Sequence, residues 1–342
     1  MTDEALDHLR AGLERWMANE AHAPVSVRAL WRLPGGTMRH AWGVDVEVAS
    51  GPLAGPHRLI YLRDRRGSPL ATSLSRQDEF QILSVMHQAG ARVPRPYWRV
   101  WNGDPSGVGP GLILERVEGE TLARRLLHDA AFAAIRPRLL TEMGEELARI
   151  HAVGTGALGC LAGPSPGETA AVRQLAELES QLRDIGEPHP ALELALRWLR
   201  GRAPDGGAIV VVHGDYRLGN IVVDPAAGLR AVLDWELSHL GDPGEDLGWV
   251  SMRFWRCMDR PGAGGLGPKT RFLDGYATLS GRRLDPDLLL YWEVLANLRW
   301  AVITLGQARR HLSGDEPSLE LASIGRHCAE VEWELLRLMR DL

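Results

Sequence analysis

The chain has 342 residues, 45% hydrophobic and 24% charged, with a formal net charge of -5 at pH 7. That length exceeds what one hydrophobic core usually supports, so two domains are expected, and an acidic balance without a basic run argues against a nucleic-acid partner. Three widely spaced cysteines, Cys160, Cys257 and Cys328, suggest neither a disulfide framework nor a zinc site; the N-terminus is acidic and helical in pattern and no run of 18 uncharged apolar residues occurs, so the expectation is a cytoplasmic protein without a membrane partner.

In chain order, residues 5–17 carry Leu6, Leu9, Leu13, Trp16 and Met17 at helical spacing. Val27 to Leu33 and Trp42 to Val48 read as strands, the second alternating Trp42, Val44, Val46 and Val48 with Gly43, Asp45 and Glu47. Pro34-Gly35-Gly36-Thr37 between them reads as a hairpin turn, and its glycines would also let backbone N–H groups approach phosphates. His57 to Arg63 is a third strand. Ser75 to Gly90 is a helix with Phe80, Leu83 and Met86 on one face and a glycine stop.

Val93-Pro94-Arg95-Pro96 breaks the chain before two further strands, Tyr97 to Trp101 and Gly111 to Val117. Residues 131–153 give a long amphipathic helix with Leu139, Leu140, Met143, Leu147 and Ile150 inward, stopped at Gly154. A Gly/Pro-rich connection, 155–168, leads to helices over 169–185 and 190–200 and a strand, Ala208 to Val212. Near the C-terminus, the glycine-rich 261–268 segment is expected to be a mobile loop serving as a lid. Leu288 to Leu312 and Glu320 to Met339 are expected helices.

The chemistry concentrates between Val212 and Trp249. His213-Gly214-Asp215, four residues, then Asn220 has the H-x-D-x-x-x-x-N spacing of a phosphotransferase catalytic loop, where the aspartate receives a hydroxyl proton and the asparagine ligates Mg²⁺. Ile221 to Val223 and Leu229 to Leu233 form a hairpin around Asp224-Pro225-Ala226-Ala227-Gly228, which carries Asp234 back beside the loop. With an extended backbone there, Asp234 and Glu236 share a face and Trp235 points away. Asp242-Pro243-Gly244-Glu245 has the N-cap, N1 proline and N3 glutamate of a capped helix, so Asp242 is structural, and Asp246 anchors the catalytic loop.

The segments HGDYRLGN, LDWE and GDPGEDLGW together resemble the aminoglycoside phosphotransferase and choline kinase family, most closely the branch whose members are sometimes fused to acyl-CoA dehydrogenases. The resemblance runs from about the first strand to the last helices. It implies an α+β, bilobal protein-kinase-like fold: a small antiparallel-sheet N-lobe over 1–118 that binds nucleotide, and a larger, mainly helical C-lobe over 119–342 holding the catalytic loop and acceptor site. On that pattern Arg63 is the cation over the α- and β-phosphates, paired with Glu79. The Glu115 to Val117 segment is the hinge that holds the adenine. The implied cofactors are ATP and Mg²⁺.

The 39 Lys plus Arg include one lysine, Lys269, leaving 38 arginines, so arginine must fill the phosphate-pairing role that lysine usually has. The expected function is ATP-dependent phosphorylation of a hydroxyl on a small molecule, the protein being a monomer or homodimer. Asp215 is the base, Arg217 adds positive charge at the transferred group, and Asn220, Asp234 and Glu236 are the candidate metal ligands. The Leu288 to Leu312 helix carries Tyr291, Trp292, Arg299, Trp300, Arg309 and Arg310 against one carboxylate, Glu293. That composition suits an apolar or anionic acceptor, such as a hydroxyacyl thioester, better than a polycationic aminoglycoside. Three alternatives stand beside it. They are an aminoglycoside phosphotransferase, a nucleotide-binding protein with weak turnover, and a two-metal phosphoesterase built from His213, Asp215, Asp234, Glu236, His239 and Asp242.

Overall fold

The computed structural model describes residues 3–33, 39–64, 73–101, 104, 106–256 and 262–340. The chain divides into two compact units, Met1–Glu118 with Ala231–Leu237, and Gly119–Arg230 with Ser238–Leu342. The first unit is therefore not contiguous in sequence: seven residues far along the chain, Ala231–Leu237, belong to it.

In the first unit, α1 (Asp3–Ala21) precedes β1 (Val25–Arg32), β2 (Arg39–Val48), β3 (Gly55–Asp64), α2 (Arg76–Gln88), β4 (Pro96–Val100) and β5 (Gly111–Glu115). The strands make one sheet in the order β1-β2-β3-β5-β4, every neighbouring pair antiparallel. Because side chains alternate along a strand, Trp42, Val44, Val46 and Val48 of β2, Leu59 and Tyr61 of β3 and Ile113 of β5 share one face. They bury against Leu9, Leu13, Trp16 and Met17 of α1. Tyr61 stacks on Trp42 with centroids 5.6 Å apart, and its hydroxyl donates to the carbonyls of Val108 and Gly109 at 3.0 and 2.8 Å. Helix α2 starts where Ser75 Oγ accepts from Asp78 N, and it buries Ile82, Leu83 and Met86.

The second unit contains α3 (Ala123–His128), α4 (Arg136–His151), α5 (Ala170–Ile185) and α6 (Pro190–Arg200), then β6 (Val210–Val212), β7 (Ile221–Asp224), β8 (Gly228–Val232) and β9 (His239–Gly241). Helices α7 (Pro243–Ser251), α8 (Lys269–Ser280), α9 (Pro286–Leu312), α10 (Leu319–Gly325) and α11 (Cys328–Met339) complete it. Strand β8 pairs with β7 as the expected hairpin and enters the first unit at Ala231. Strand β6 pairs antiparallel with β9, Val212 opposite His239. The helix expected from 131 begins at Arg136, because Pro137 fits only the first turn; α3 and a short 3₁₀ turn occupy the residues before it.

Helix α9 passes the length and hydropathy test for a membrane span, with mean hydropathy 1.3 over its best window, yet 72% of that window is buried within the protein. Its Tyr291, Trp292, Val294, Leu295 and Leu298 pack with Leu178 and Leu182 of α5, Leu192, Leu196 and Leu199 of α6, and Val331 and Leu335 of α11. Two glycines of α7 permit this. A Cβ on Gly244 would lie 2.1 Å from the Trp292 ring, and one on Gly248 would lie 2.5 Å from the Trp292 carbonyl.

The expected lid over 261–268 is not what the described part of that segment forms. Ala263 and Gly267 make an isolated bridge, Ala263 N donates to Gly267 O at 2.9 Å, and Ala263 is fully buried. Its glycines serve a tight folded turn: Gly262, Gly264, Gly265 and Gly267 all have positive φ, which only glycine adopts freely.

Candidate active site

Strand β6 ends at Val212, and the loop that follows is held from beneath by one buried carboxylate. Asp246, with no exposed surface, accepts from His213 N at 2.7 Å and Gly214 N at 2.9 Å. His151 Nε2 lies 3.1 Å from the same carboxylate, and its Nδ1 meets the Tyr276 hydroxyl at 3.0 Å. Burial pushes the Asp246 acid up, but the His151 hydrogen bond and charge, together with His213, outweigh it and hold the group below the usual carboxylate range. Gly214 takes φ 83°, a left-handed turn that brings Asp215 round. His213 Nδ1 is hydrogen-bonded to Asp215 N at 3.2 Å, so this imidazole shapes the loop.

Three donors fix the Asp215 carboxylate. Oδ1 accepts from Arg217 Nε and from Trp249 Nε1, each at 2.9 Å, and Oδ2 accepts from Asn220 Nδ2 at 2.6 Å. Asn220 is buried, and its amide also donates to Asp215 O at 3.0 Å, so the Asn220 side-chain oxygen Oδ1 makes no hydrogen bond among the described residues. Arg217 is held in turn over the Trp255 ring at 4.7 Å. Trp249 had no role in the sequence reading. It stands on α7, whose start is the expected capping box: Asp242 Oδ1 accepts from Gly244 N at 2.7 Å and Glu245 Oε1 from Asp242 N at 3.0 Å. That cap therefore helps set the direction from which Trp249 reaches a residue 34 positions earlier.

Around Trp249 lies an aromatic group that the sequence did not announce as a unit. Trp255 and Trp300 approach it with centroids 5.4 and 6.1 Å away, Phe254 contacts both, and Arg299 lies 5.2 Å over the Trp249 ring. The indole N–H groups of Trp255 and Trp300 and the Nε of Arg256 are buried without a hydrogen-bond partner among the described residues. On α9, the side chains named in the sequence reading divide. Tyr291 and Trp292 belong to the core, Glu293 pairs with Lys269, Arg309 donates to Asp184 O, and Arg310 pairs with Glu316, so that only Arg299 and Trp300 join the aromatic group.

The remaining candidates lie in the first unit. Strand β8 stops at Val232, and Asp234 has φ 66°. The extended backbone assumed for a shared Asp234–Glu236 face is therefore absent. Asp234 is exposed, without a hydrogen bond among the described residues, whereas Trp235 is buried with Nε1 donating to Val232 O at 3.1 Å. Glu236 is buried and lies 3.9 Å from Arg76 Nη2. Glu79 is buried on α2 and pairs with Arg76, its neighbour one turn earlier.

The expected Arg63–Glu79 pair does not form. Strand alternation puts Arg63 on the face of Leu59 and Tyr61, and its guanidinium lies over Gly109, where an added Cβ would meet Nε at 2.7 Å. In the hinge segment, Glu115 N donates to Arg95 O at 2.8 Å and Arg116 N to Arg58 O at 2.8 Å, while Val117 makes no backbone hydrogen bond among the described residues. The Pro34-Gly35-Gly36-Thr37 turn lies outside the described residues.

The two-metal cluster of the phosphoesterase alternative is not assembled by its second-unit members. His213 is hydrogen-bonded to Asp215 N, His239 to Glu245 at 2.8 Å and Gln174 at 3.1 Å, and Asp242 caps α7. Among the described residues, the one grouping with metal-ligand proximity is His189, Cys328 and Glu332, none of them in that set.

Comparison with known proteins identifies the family and the fold. Residues 55–284 match the family model described as the phosphotransferase enzyme family. Acyl-CoA dehydrogenase family member 11 of Gallus gallus is 26% identical over 332 residues, covering 89% of this chain and 42% of its own length, so the chain spans well under half of that relative. An aminoglycoside-phosphotransferase-like protein of Ralstonia eutropha JMP134 superimposes with TM-score 0.71 at 23% identity, over 95% of this chain and 97% of its own. Spectinomycin phosphotransferase in complex with ADP and spectinomycin superimposes with TM-score 0.61 at 11% identity, over 94% and 96%. The fold is thus the kinase-like one of aminoglycoside phosphotransferases, an antiparallel sheet followed by a mostly helical part, and the chain belongs to the phosphotransferase enzyme family.

Proposed function

We propose that the protein is an ATP-dependent O-phosphotransferase acting on a hydroxyl of a small apolar or anionic molecule. The observation that carries this is the Asp215 carboxylate, fixed by Asn220, Arg217 and Trp249 on a loop anchored by Asp246. In the reaction, the acceptor hydroxyl gives its proton to Asp215 as its oxygen bonds to the γ-phosphorus; the bond to the bridging oxygen breaks and ADP leaves. The transition state is loose, so holding the hydroxyl in line contributes more than drawing off its proton early. Arg217, kept beside the carboxylate and over Trp255, offers positive charge to the transferred group.

Hard-oxygen donors suit magnesium, and each unit offers one that is without a hydrogen bond among the described residues: the side-chain carbonyl oxygen of Asn220 in the second unit and the exposed carboxylate of Asp234 in the first are the proposed ligand atoms. When bound, the ion would neutralise charge on the phosphates. Val117, whose backbone N–H and C=O make no hydrogen bond among the described residues, is the proposed holder of the adenine edge.

The acceptor reading rests on the aromatic group beside Asp215. It presents tryptophan faces, unpartnered donors and the arginines Arg217, Arg256 and Arg299, which favour a partly apolar molecule bearing oxygen acceptors. A polycationic aminoglycoside is the second reading, motivated by the fold relatives, but it needs carboxylates free to meet it, and Glu293 is already paired with Lys269. An ADP-release screen across aminoglycosides, sugars, neutral alcohols and hydroxyacyl-CoA compounds decides between them. Turnover confined to kanamycin-type compounds would overturn the acceptor class, and no ADP release with any acceptor would leave the weak nucleotide binder as the better description.

A further inference from the structure

The segment that carries Asp234 is an irregular piece of backbone. Among the contacts that hold it within the first unit are three from described residues: Val232 N donates to Arg92 O at 2.7 Å, Leu74 N donates to Glu236 O at 2.7 Å, and Arg76 faces Glu236. Two of these come from the residues that begin α2. Arg76 also pairs with Glu79, whose carboxylate is almost fully buried and needs a cation in any folded arrangement. Strand β3 does not supply that cation, since Arg63 projects to the α1 side and rests over Gly109. Asp234, left-handed at φ 66°, keeps its direction only if its flanks are fixed, because a non-glycine residue there relaxes readily to other backbone angles.

We propose that Arg76 is a positioning residue, which through a Glu79–Arg76–Glu236 ion network clamps the Asp234–Leu237 segment to the start of α2 and so sets the direction of the Asp234 carboxylate. In this arrangement Glu236 is an anchor and not a metal ligand. Its carboxylate is buried and faces a guanidinium, while Asp234, two residues earlier, is exposed and has no partner among the described residues. The proposal rests on the reading of Asp234 as the magnesium residue for its functional consequence, but the clamp itself is a statement about the first unit alone.

The test uses the full-length protein and the variants Arg76→Met, Arg76→Lys, Glu236→Gln and Arg76→Met with Glu236→Gln. Hydrogen exchange by mass spectrometry reads the clamp without reference to activity. In Arg76→Met, peptides covering 73–76 and 232–237 should exchange at least tenfold faster while β1 to β3 peptides are unchanged, and Arg76→Lys should recover much of the protection. Calorimetry with Mg-ATP then reads the consequence: Arg76→Met and Glu236→Gln should each raise the magnesium concentration needed for half-maximal nucleotide binding by about tenfold, and the double variant by no more than either single change. Unchanged exchange in Arg76→Met overturns the proposal, as does a double variant whose losses multiply, since that is how an anchor and an independent metal ligand behave. A wild-type protein that binds no Mg-ATP overturns the phosphotransferase reading instead, and the exchange result still decides the clamp.

Discussion

At Asp215 one carboxylate meets three donors, and each has a different source in the chain: Asn220 from the same loop, Arg217 two residues on, and Trp249 from a helix. Replacing Asp215 with Asn removes the proton acceptor but leaves the loop in place, because its anchor is Asp246. Turnover should fall about 10²- to 10⁴-fold with Mg-ATP affinity within a few-fold of wild type, as single-turnover kinetics and calorimetry would show. Asp246→Ala should act on the fold instead. It leaves two backbone N–H groups and the His151 imidazole buried without their partner, at a cost of about 3–5 kcal/mol. A loss of unfolding free energy in urea of less than about 1 kcal/mol would contradict that account.

Among the elements, α7 joins stability to chemistry, since it carries Asp246 and Trp249 and its cap includes Asp242. Burial raises the Asp242 acid to about 6 against an ordinary 3.8, despite the hydrogen bond from Gly244 N. A carboxyl whose folded value is raised binds its proton more tightly in the native state, so its contribution favours the fold at low pH and declines as pH rises from about 4 to about 6. Thermal melts of Asp242→Asn should show a weaker pH dependence across that window than the wild type, with the cap retained because Asn is also a good N-cap. Gly248→Ala tests the approach of α7 to α9. Its methyl would lie 2.5 Å from the Trp292 backbone, and the shift needed should cost about 1–3 kcal/mol in denaturant unfolding.

For the whole molecule, the first unit takes part of its structure from residues 231–237, far along the chain. A fragment ending at Glu118 lacks the carbonyl of Glu236 for Leu74 N and the carboxylate of Glu236 for Arg76. Residues 1–118 expressed alone are therefore expected to lack a cooperative thermal transition followed by near-ultraviolet circular dichroism, and a sharp transition would show that the sheet and α1 suffice. In the second unit the core formed around α9 explains why so apolar a helix is found inside a globular unit: Trp292 and Leu298 are completely enclosed by α5, α6, α7 and α11.

Patterns that depend on neighbours in sequence were legible from the chain alone. The alternation of Trp42 to Val48, the capping box at Asp242, the hairpin after Asn220 and the H-x-D-x-x-x-x-N spacing are local, and each arises because period, cap chemistry and turn residues act within a few positions. The short strand β9 gave no such signal, since three residues cannot show a period and its partners in β6 lie 27 or more positions earlier. Only the tertiary structure decided which charges meet. Arg63 was assigned to Glu79 by pattern, but the register of β3 turns it to the α1 face and gives Glu79 to Arg76. Asp234 and Glu236, two apart in a presumed strand, have unlike surroundings because the backbone turns left-handed between Val232 and Trp235. The Trp249 contact to Asp215 spans 34 residues, and nothing in the spacing of either encodes it. Side-chain pairing across such distances is set by strand register and helix packing, which depend on the whole fold, whereas caps, turns and periods are fixed by the few residues that form them.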